Sequence, residues 1–271
     1  MSDPKVKKAK KHNILLIAGA ALTLAVLLFT FVGAFYTPRD PDAMNAAEKL
    51  LPPTLNHLFG TDKFGRDIFS RVMKGTLSTV STALLTVLAG GGVGILAGAV
   101  TGYFGGKADA VLTRLGDTVT AFPAVLTALL VVSLLGPGGW QVAIALAVAF
   151  IPSFMRVSRV SFAGQRRLPY VISARLQGAS HAGVMLRHIL PNTLPSLLPA
   201  LTIGFSNAVL AEAGMSYLGI GVTPPDASLG YMLSEAQGML ALAPWYAVSC
   251  GAVLLAAVLG VGLLGEGLKD A

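Results

Sequence analysis

The stretch Ser161–Asn192, SFAGQRRLPYVISARLQGASHAGVMLRHILPN, decides how the rest of this chain is read. It is a polar, arginine-bearing loop of more than thirty residues between two apolar segments, each long enough to cross a bilayer. Within it a short helical run, Tyr170 to Gln177, stops at Gly178, and a second run ends at Pro191. Loops of this length inside a membrane protein are rarely idle, because ordered connecting segments carry contacts and function.

The surrounding composition fits. Of 271 residues, 54% are hydrophobic and only 12% charged, about half the charged share of soluble domains. Six segments reach the roughly 20 apolar residues a spanning helix needs: 14–36, 77–103, 117–136, 139–158, 194–218 and 245–265. The third and fourth are joined by Gly136-Pro137-Gly138-Gly139, a tight-turn signal, and form a helical hairpin. Ile14–Tyr36 is too long for a signal-peptide core and ends in the interface-suited pair Phe35-Tyr36, so it reads as an uncleaved first span.

The basic residues orient the chain. Fourteen of the 20 lysines and arginines fall at one side: five between Lys5 and Lys11, then Lys107, Arg114, Arg156, Arg159, Arg166, Arg167, Arg175, Arg187 and Lys269. The other six lie between Arg39 and Lys74 among five acidic residues. The positive-inside rule then puts both termini in the cytoplasm. The net charge of +7 belongs to these flanks. No basic face is interleaved with exposed aromatics, so nucleic acid is not an expected partner, whereas membrane lipid is.

The expected organisation is a basic cytoplasmic N-terminus (1–13), a first transmembrane helix (14–36), an extracytoplasmic segment (37–76), a five-helix core (77–265) containing the 161–192 loop, and a cytoplasmic C-terminus (266–271). In 37–76, prolines make the first half irregular. From Phe64 on, Ile68, Phe69, Val72 and Met73 alternate with Arg66, Asp67, Ser70, Arg71 and Lys74. That is the pattern of an amphipathic helix lying on the interface or packed, solvated, on protein. Gly90, Gly94, Gly98 and Gly102 stack on one helical face and allow close backbone approach. A nucleotide loop would need other spacing and a strand before it.

No catalytic constellation is present. There is no P-loop and no metalloprotease motif, and Gly214-Met215-Ser216 lacks the second glycine of a nucleophile elbow. The four histidines have no metal-ligand spacing, and the single cysteine, Cys250, reads as a small packing residue. Arg114 and Asp117 are expected to pair at i, i+3. Glu212 stands inside the fifth span. A carboxylate in hydrocarbon must be paired or wet, so it either lines a translocation pathway, with Asn207 on roughly the same face, or is a capped structural carboxylate.

Three stretches carry a family resemblance. YVISARLQGAS and RHILPN resemble the "EAA" loop of binding-protein-dependent ABC importers. HLFGTDKFGRDIFSRVMKG resembles the GTD–GRD–SR segment of their dipeptide/oligopeptide/nickel permease branch. LAEAGMSYLGIGVTPP and LLGEGLKDA resemble that branch's fifth span and C-terminal end. The chain is similar to the second permease of such systems, an all-α integral membrane protein with six transmembrane helices, the type I importer permease fold and a cytoplasmic coupling helix. The resemblance implies a non-enzymatic transport subunit for peptides, nickel or metal chelates. It implies a second homologous permease, two ATPase subunits that bind ATP and Mg, an extracytoplasmic solute-binding protein, and no cofactor on this chain. It assigns ATPase coupling to Tyr170, Ser173, Ala174, Arg175, Gly178, Ala179, Arg187 and Pro191. Ile172-Ser173-Ala174 replaces the family's Glu-Ala-Ala, so the acidic contact of that motif is missing. A secondary transporter is the alternative, but the chain has few midplane charges and no clear internal repeat.

Overall fold

A computed structural model describes residues 4–268, with side chains from Ile14. The lysines expected to mark the N-terminal side, and Lys269, lie outside the described side chains. The described residues are helical, apart from connecting turns, the largely irregular segment 36–67 and one isolated bridge within it between Thr61 and Asp67. Helix α1 is Pro4–Phe35, α2 Ile68–Phe104, α3 Gly106–Thr120, α4 Ala124–Leu135, α5 Gly139–Gln165, α6 Pro169–Leu176, α7 His181–Tyr217, α8 Leu229–Gln237 and α9 Pro244–Leu268. Five of these are long and apolar enough to span a bilayer, and six spans result if the bent pair α3–α4 counts as one.

Three expected boundaries are corrected. The second span begins at Ile68 instead of 77, so the separate amphipathic helix of 64–76 does not exist. Most of its polar face is not solvated; only Lys74 is exposed. Ser70 and Arg71 are buried, and Asp67 caps the helix by accepting from the Ser70 N–H at 2.9 Å. The third span is broken, because α3 and α4 meet at 89°. Pro123 lacks an N–H and biases Phe122 away from helical backbone, which ends α3 there. The fifth span begins at His181, and Pro191 does not end a run. A π turn at Val184–Ile189 widens the helix just ahead of Pro191, Pro195 and Pro199, which together remove three ladder donors.

The glycine ladder packs as its spacing predicts. A Cβ on Gly90 would lie 2.7 Å from the Ala147 carbonyl and one on Gly94 2.6 Å from that of Ile151; Gly98 and Gly102 meet Met155 and Arg159 in the same way. Each contact is four residues further along α5, so α2 and α5 touch backbone to backbone along their length. Gly19, Gly260 and Gly267 bring α1 and α9 together similarly.

The loops gather at two ends. At one, the 36–67 cap, the 218–243 segment and the start of α9 enclose Ile68, Val72, Leu229, Met232, Tyr246 and Cys250. At the other, the ends of α2 and α5 and helix α6 share a cluster of Ala99, Tyr103, Phe162, Val171, Ala174, Val184 and Ile189.

Candidate functional site: the short helix between two spans

Helix α6 starts at Pro169, whose fixed φ suits the first helical turn. It ends at Gly178 in a left-handed conformation, φ +85°. The Gly178 N–H bonds the Arg175 carbonyl at 3.0 Å and the Ala179 N–H bonds that of Ala174 at 3.1 Å. This paired closure is a Schellman motif, so the chain turns sharply after two helical turns.

One face of α6 is anchored. Val171 is fully buried and Ala174 nearly so, against Tyr103, Phe162 and Val184. Burying a valine side chain contributes roughly 1.5–3 kcal/mol, enough to hold so short a helix in place. Half-buried Tyr170 adds a hydrogen bond to Gln165 Oε1 at 2.8 Å, and burial pushes its phenol pKa up. The opposite face, Ile172, Ser173, Arg175 and Leu176, is exposed, with Leu176 84% accessible. Gly178, Ala179, Arg187 and Pro191 are exposed too. Ala174 is therefore the one assigned coupling residue that points into the protein and supports the surface from beneath.

The two candidate pathway residues separate. Five residues along a helix is about 140° around it. Asn207 is exposed and lines a hollow of about 250 Å³ between α5 and α7, with Ser153, Phe154 and Gly204. Glu212 is fully buried within its own subunit, which favours the capped structural carboxylate of the two readings over a pathway lining. α2 and α8 cover that face of α7: Thr79 stands beside the carboxylate and Gly230 packs on Ala213. Glu212 Oε1 accepts from Ser216 Oγ at 2.6 Å, and Ser216 Oγ accepts from the Val222 N–H at 3.1 Å. The carboxylate thereby ties the loop after α7 to the helix. Glu212→Gln keeps that acceptor and is expected to transport normally. Glu212→Leu orphans the Ser216 donor, at about 1–3 kcal/mol, and lowers the melting temperature of the assembled complex. Altered pH dependence of uptake in Glu212→Gln would restore a pathway role.

Sequence reading missed a buried ionic network in the cap. Asp62 accepts from the Phe64 and Arg66 N–H groups at 2.8 and 3.0 Å and pairs with Arg66 Nε at 2.6 Å. Arg66 and Arg71 both reach Glu235 of α8, which also accepts from Tyr246 Oη at 3.1 Å. Burial opposes the charge of Arg66, yet Asp62 and then Glu235 more than offset it and hold the guanidinium above its ordinary value. Asp67 joins His57 Nδ1 at 2.9 Å. The GTD–GRD segment is thus a self-capped turn. At the other end, Asp117 pairs with Arg156 at 3.3 Å rather than with Arg114, and Arg159 pairs with Asp109. Among the described residues no cluster of three or more histidine, cysteine or acidic side chains could hold a metal.

The described residues form close-packed spans with a short helix docked across the ends of three of them. The fold is that of an importer permease: the MetNI methionine ABC transporter in its inward-facing conformations matches with a TM-score of 0.62 at 16% identity, over 74% of this chain and 95% of that one. The chain belongs to the family described as binding-protein-dependent transport system inner membrane component, whose model matches residues 94–269. It is 38% identical to the dipeptide transport system permease protein DppC of Haemophilus influenzae, over 96% of this chain and 90% of that protein. It is 32% identical to the probable D,D-dipeptide transport system permease protein DdpC of Escherichia coli, over 96% and 87%. The protein is a multi-pass inner-membrane permease subunit of an ATP-driven importer, not an enzyme, and works with ATPase and substrate-binding protein partners.

Proposed function

We propose that this chain forms half of a translocation pathway for small peptides and pairs with a second, homologous permease. Two ATPase subunits, carrying ATP and Mg, dock on the α6 side, and both termini of the chain lie in the cytoplasm. Peptide cargo is favoured because relatives matching nearly the full length are named for dipeptide and D,D-dipeptide transport; neither name points to nickel.

The observation that carries the coupling assignment is the two-sidedness of α6. Val171 and Ala174 lock it to the ends of α2, α5 and α7, while Ile172, Ser173, Arg175 and Leu176 project outward. A rigid short helix on the ends of several spans moves with them, so displacement by a docked partner reaches the pathway. Arg175 and Arg187 supply charge for carboxylates on that partner. Tyr170, Gly178, Ala179 and Pro191 shape the segment around it.

A cysteine at Ser173 tests both the contact and the orientation. It is expected to crosslink to cysteines in a surface groove of the cognate ATPase, in proportion to complex assembled. Labelling of position 173 by a membrane-impermeant reagent added outside intact cells, with no crosslink, would overturn the docking and the orientation together.

A further inference from the structure

We propose that the α6 end of the fold holds a binding site for the phosphate of an anionic membrane lipid, built chiefly on Arg166 and Arg167 beside α6 and sharing only Arg175 with its outward face. A hollow of about 350 Å³ there is lined by Tyr103, Phe104, Arg166, Arg167, Arg175 and His181. Three guanidiniums converge on it, and among the described residues none of them pairs with a carboxylate.

Arg166 is fixed in place. Its Nη1 donates to the carbonyls of Gly102 and Tyr103, both at 3.4 Å, where α2 exposes its last acceptors. A cation suits that negative helix end. Gly105, at φ +67°, leaves room for the guanidinium: a Cβ there would lie 3.0 Å from Nη1. Tyr103 Oη and His181 Nδ1, 2.9 Å apart, close the back wall. The side chains of Arg167 and Arg175 line the hollow with no side-chain hydrogen bond among the described residues, so their donors remain available to a phosphate, which guanidinium groups bind through paired N–H bonds.

The surroundings select a lipid over a soluble anion. The hollow opens where the long apolar helix α2 ends. Val93, Leu96, Val100 and Phe104 are all exposed, and their spacing of three to four makes one continuous apolar stripe running up to the arginines. Acyl chains lie along such a stripe while the headgroup phosphate meets the charge. Basic pockets at the ends of spanning helices have the composition that receives anionic headgroups, and Tyr103 and Phe104 supply the aromatic edge usual at that depth.

The complete transporter, purified in mild detergent and incubated with cardiolipin or with phosphatidylcholine, is examined by native mass spectrometry. Cardiolipin adducts are expected to persist and phosphatidylcholine adducts not to. Each basic residue near an anionic surface is worth roughly fivefold in affinity, so the Arg166→Gln/Arg167→Gln pair should weaken cardiolipin binding about 30-fold. Arg114→Gln, an exposed arginine at the same end but outside the hollow, should leave it unchanged. If the double variant does not assemble, Arg167→Gln alone, which breaks no bond within the chain, should give about a fivefold loss. Equal loss in Arg114→Gln, or none in the arginine variants, overturns the site. Displacement of cardiolipin by inorganic phosphate beyond that by chloride at equal ionic strength marks a soluble-anion site and overturns the lipid assignment. Cardiolipin adducts absent from the complete transporter but present on the permease pair once the ATPases are stripped off assign the arginines to the protein partner and overturn the site. None of these readouts depends on α6 being the coupling helix.

Discussion

Glu235→Ala is expected to lower the melting temperature of the purified complex by roughly 10 °C and to expose the 36–67 cap to protease. Glu235 is the shared counter-ion of two arginines, at 3.1 Å from Arg66 and 3.5 Å from Arg71, and Arg71 is only 1% exposed. Removing one partner of a buried ion pair costs about 3–5 kcal/mol, because the charge left behind is neither hydrated nor paired. Here two cations each lose one of their two carboxylates, and the Tyr246 hydroxyl loses its acceptor as well. Arg66 retains Asp62 and Arg71 retains Asp42 at 3.5 Å, so the cap loosens from α8 and α9 without coming apart internally. Combining Glu235→Ala with Arg71→Met should restore much of the loss, since an apolar side chain of similar length fills the site without charge. An unchanged melt for Glu235→Ala would mean that water reaches Arg71 and that the network carries little energy.

That network also explains where sequence reading stops. Spanning helices are legible because about 20 apolar residues in a row leave few alternatives, and the glycine ladder is legible because spacing of four has one geometric meaning on a helix. The start of α2 was not. Arg66, Asp67, Ser70 and Arg71 alternate with apolar residues as a solvated face would. Their burial depends on Glu235, 169 positions from Arg66, and no local pattern encodes a partner that distant. The break at Pro123 was available from the proline itself, but the apolar run around it reads as one span until the turn is seen. The long α7 was hidden for the opposite reason. Pro191 looks like a terminator, yet the helix continues through it, with a π turn just ahead.

Within the candidate site the same division holds. The extent of α6 was legible within a residue at each end, its stop from Gly178, whose backbone preference is strong; the start one residue earlier, at Pro169, is what the structure adds. Which side of α6 faces the protein was not, and Ala174 proves to be a supporting residue. For Glu212 the sequence established only that the carboxylate must be paired or wet. Its pairing with Ser216 follows from i, i+4 spacing, but its enclosure by α2 and α8 is a tertiary fact.

Gly178→Pro is expected to reduce uptake at least tenfold while the complex still assembles, with ATP hydrolysis continuing but no longer stimulated by cargo and binding protein. No heavy atom outside its immediate chain neighbours lies within 4 Å of where a Cβ would stand at 178, so the substitution meets no steric obstacle and acts through the backbone alone. Gly178 holds φ at +85°, whereas proline fixes φ near −65° and has no N–H. The Gly178-to-Arg175 bond is lost, and the chain leaves α6 in another direction. Residues 179–183 must then re-route before α7, and α6 is no longer tied at both ends to the spans it serves. Gly178→Ala separates this from simple side-chain bulk. Alanine keeps the N–H but strains the left-handed position by about 1–2 kcal/mol, a cost small enough to leave the turn formed. Its uptake should fall only severalfold, and Gly178→Arg should resemble it unless the added side chain collides with the ATPase. If Gly178→Pro transports normally in correctly assembled complexes, the rigid closure of α6 is not needed for transmission, and the coupling surface must be sought elsewhere on the 161–192 segment.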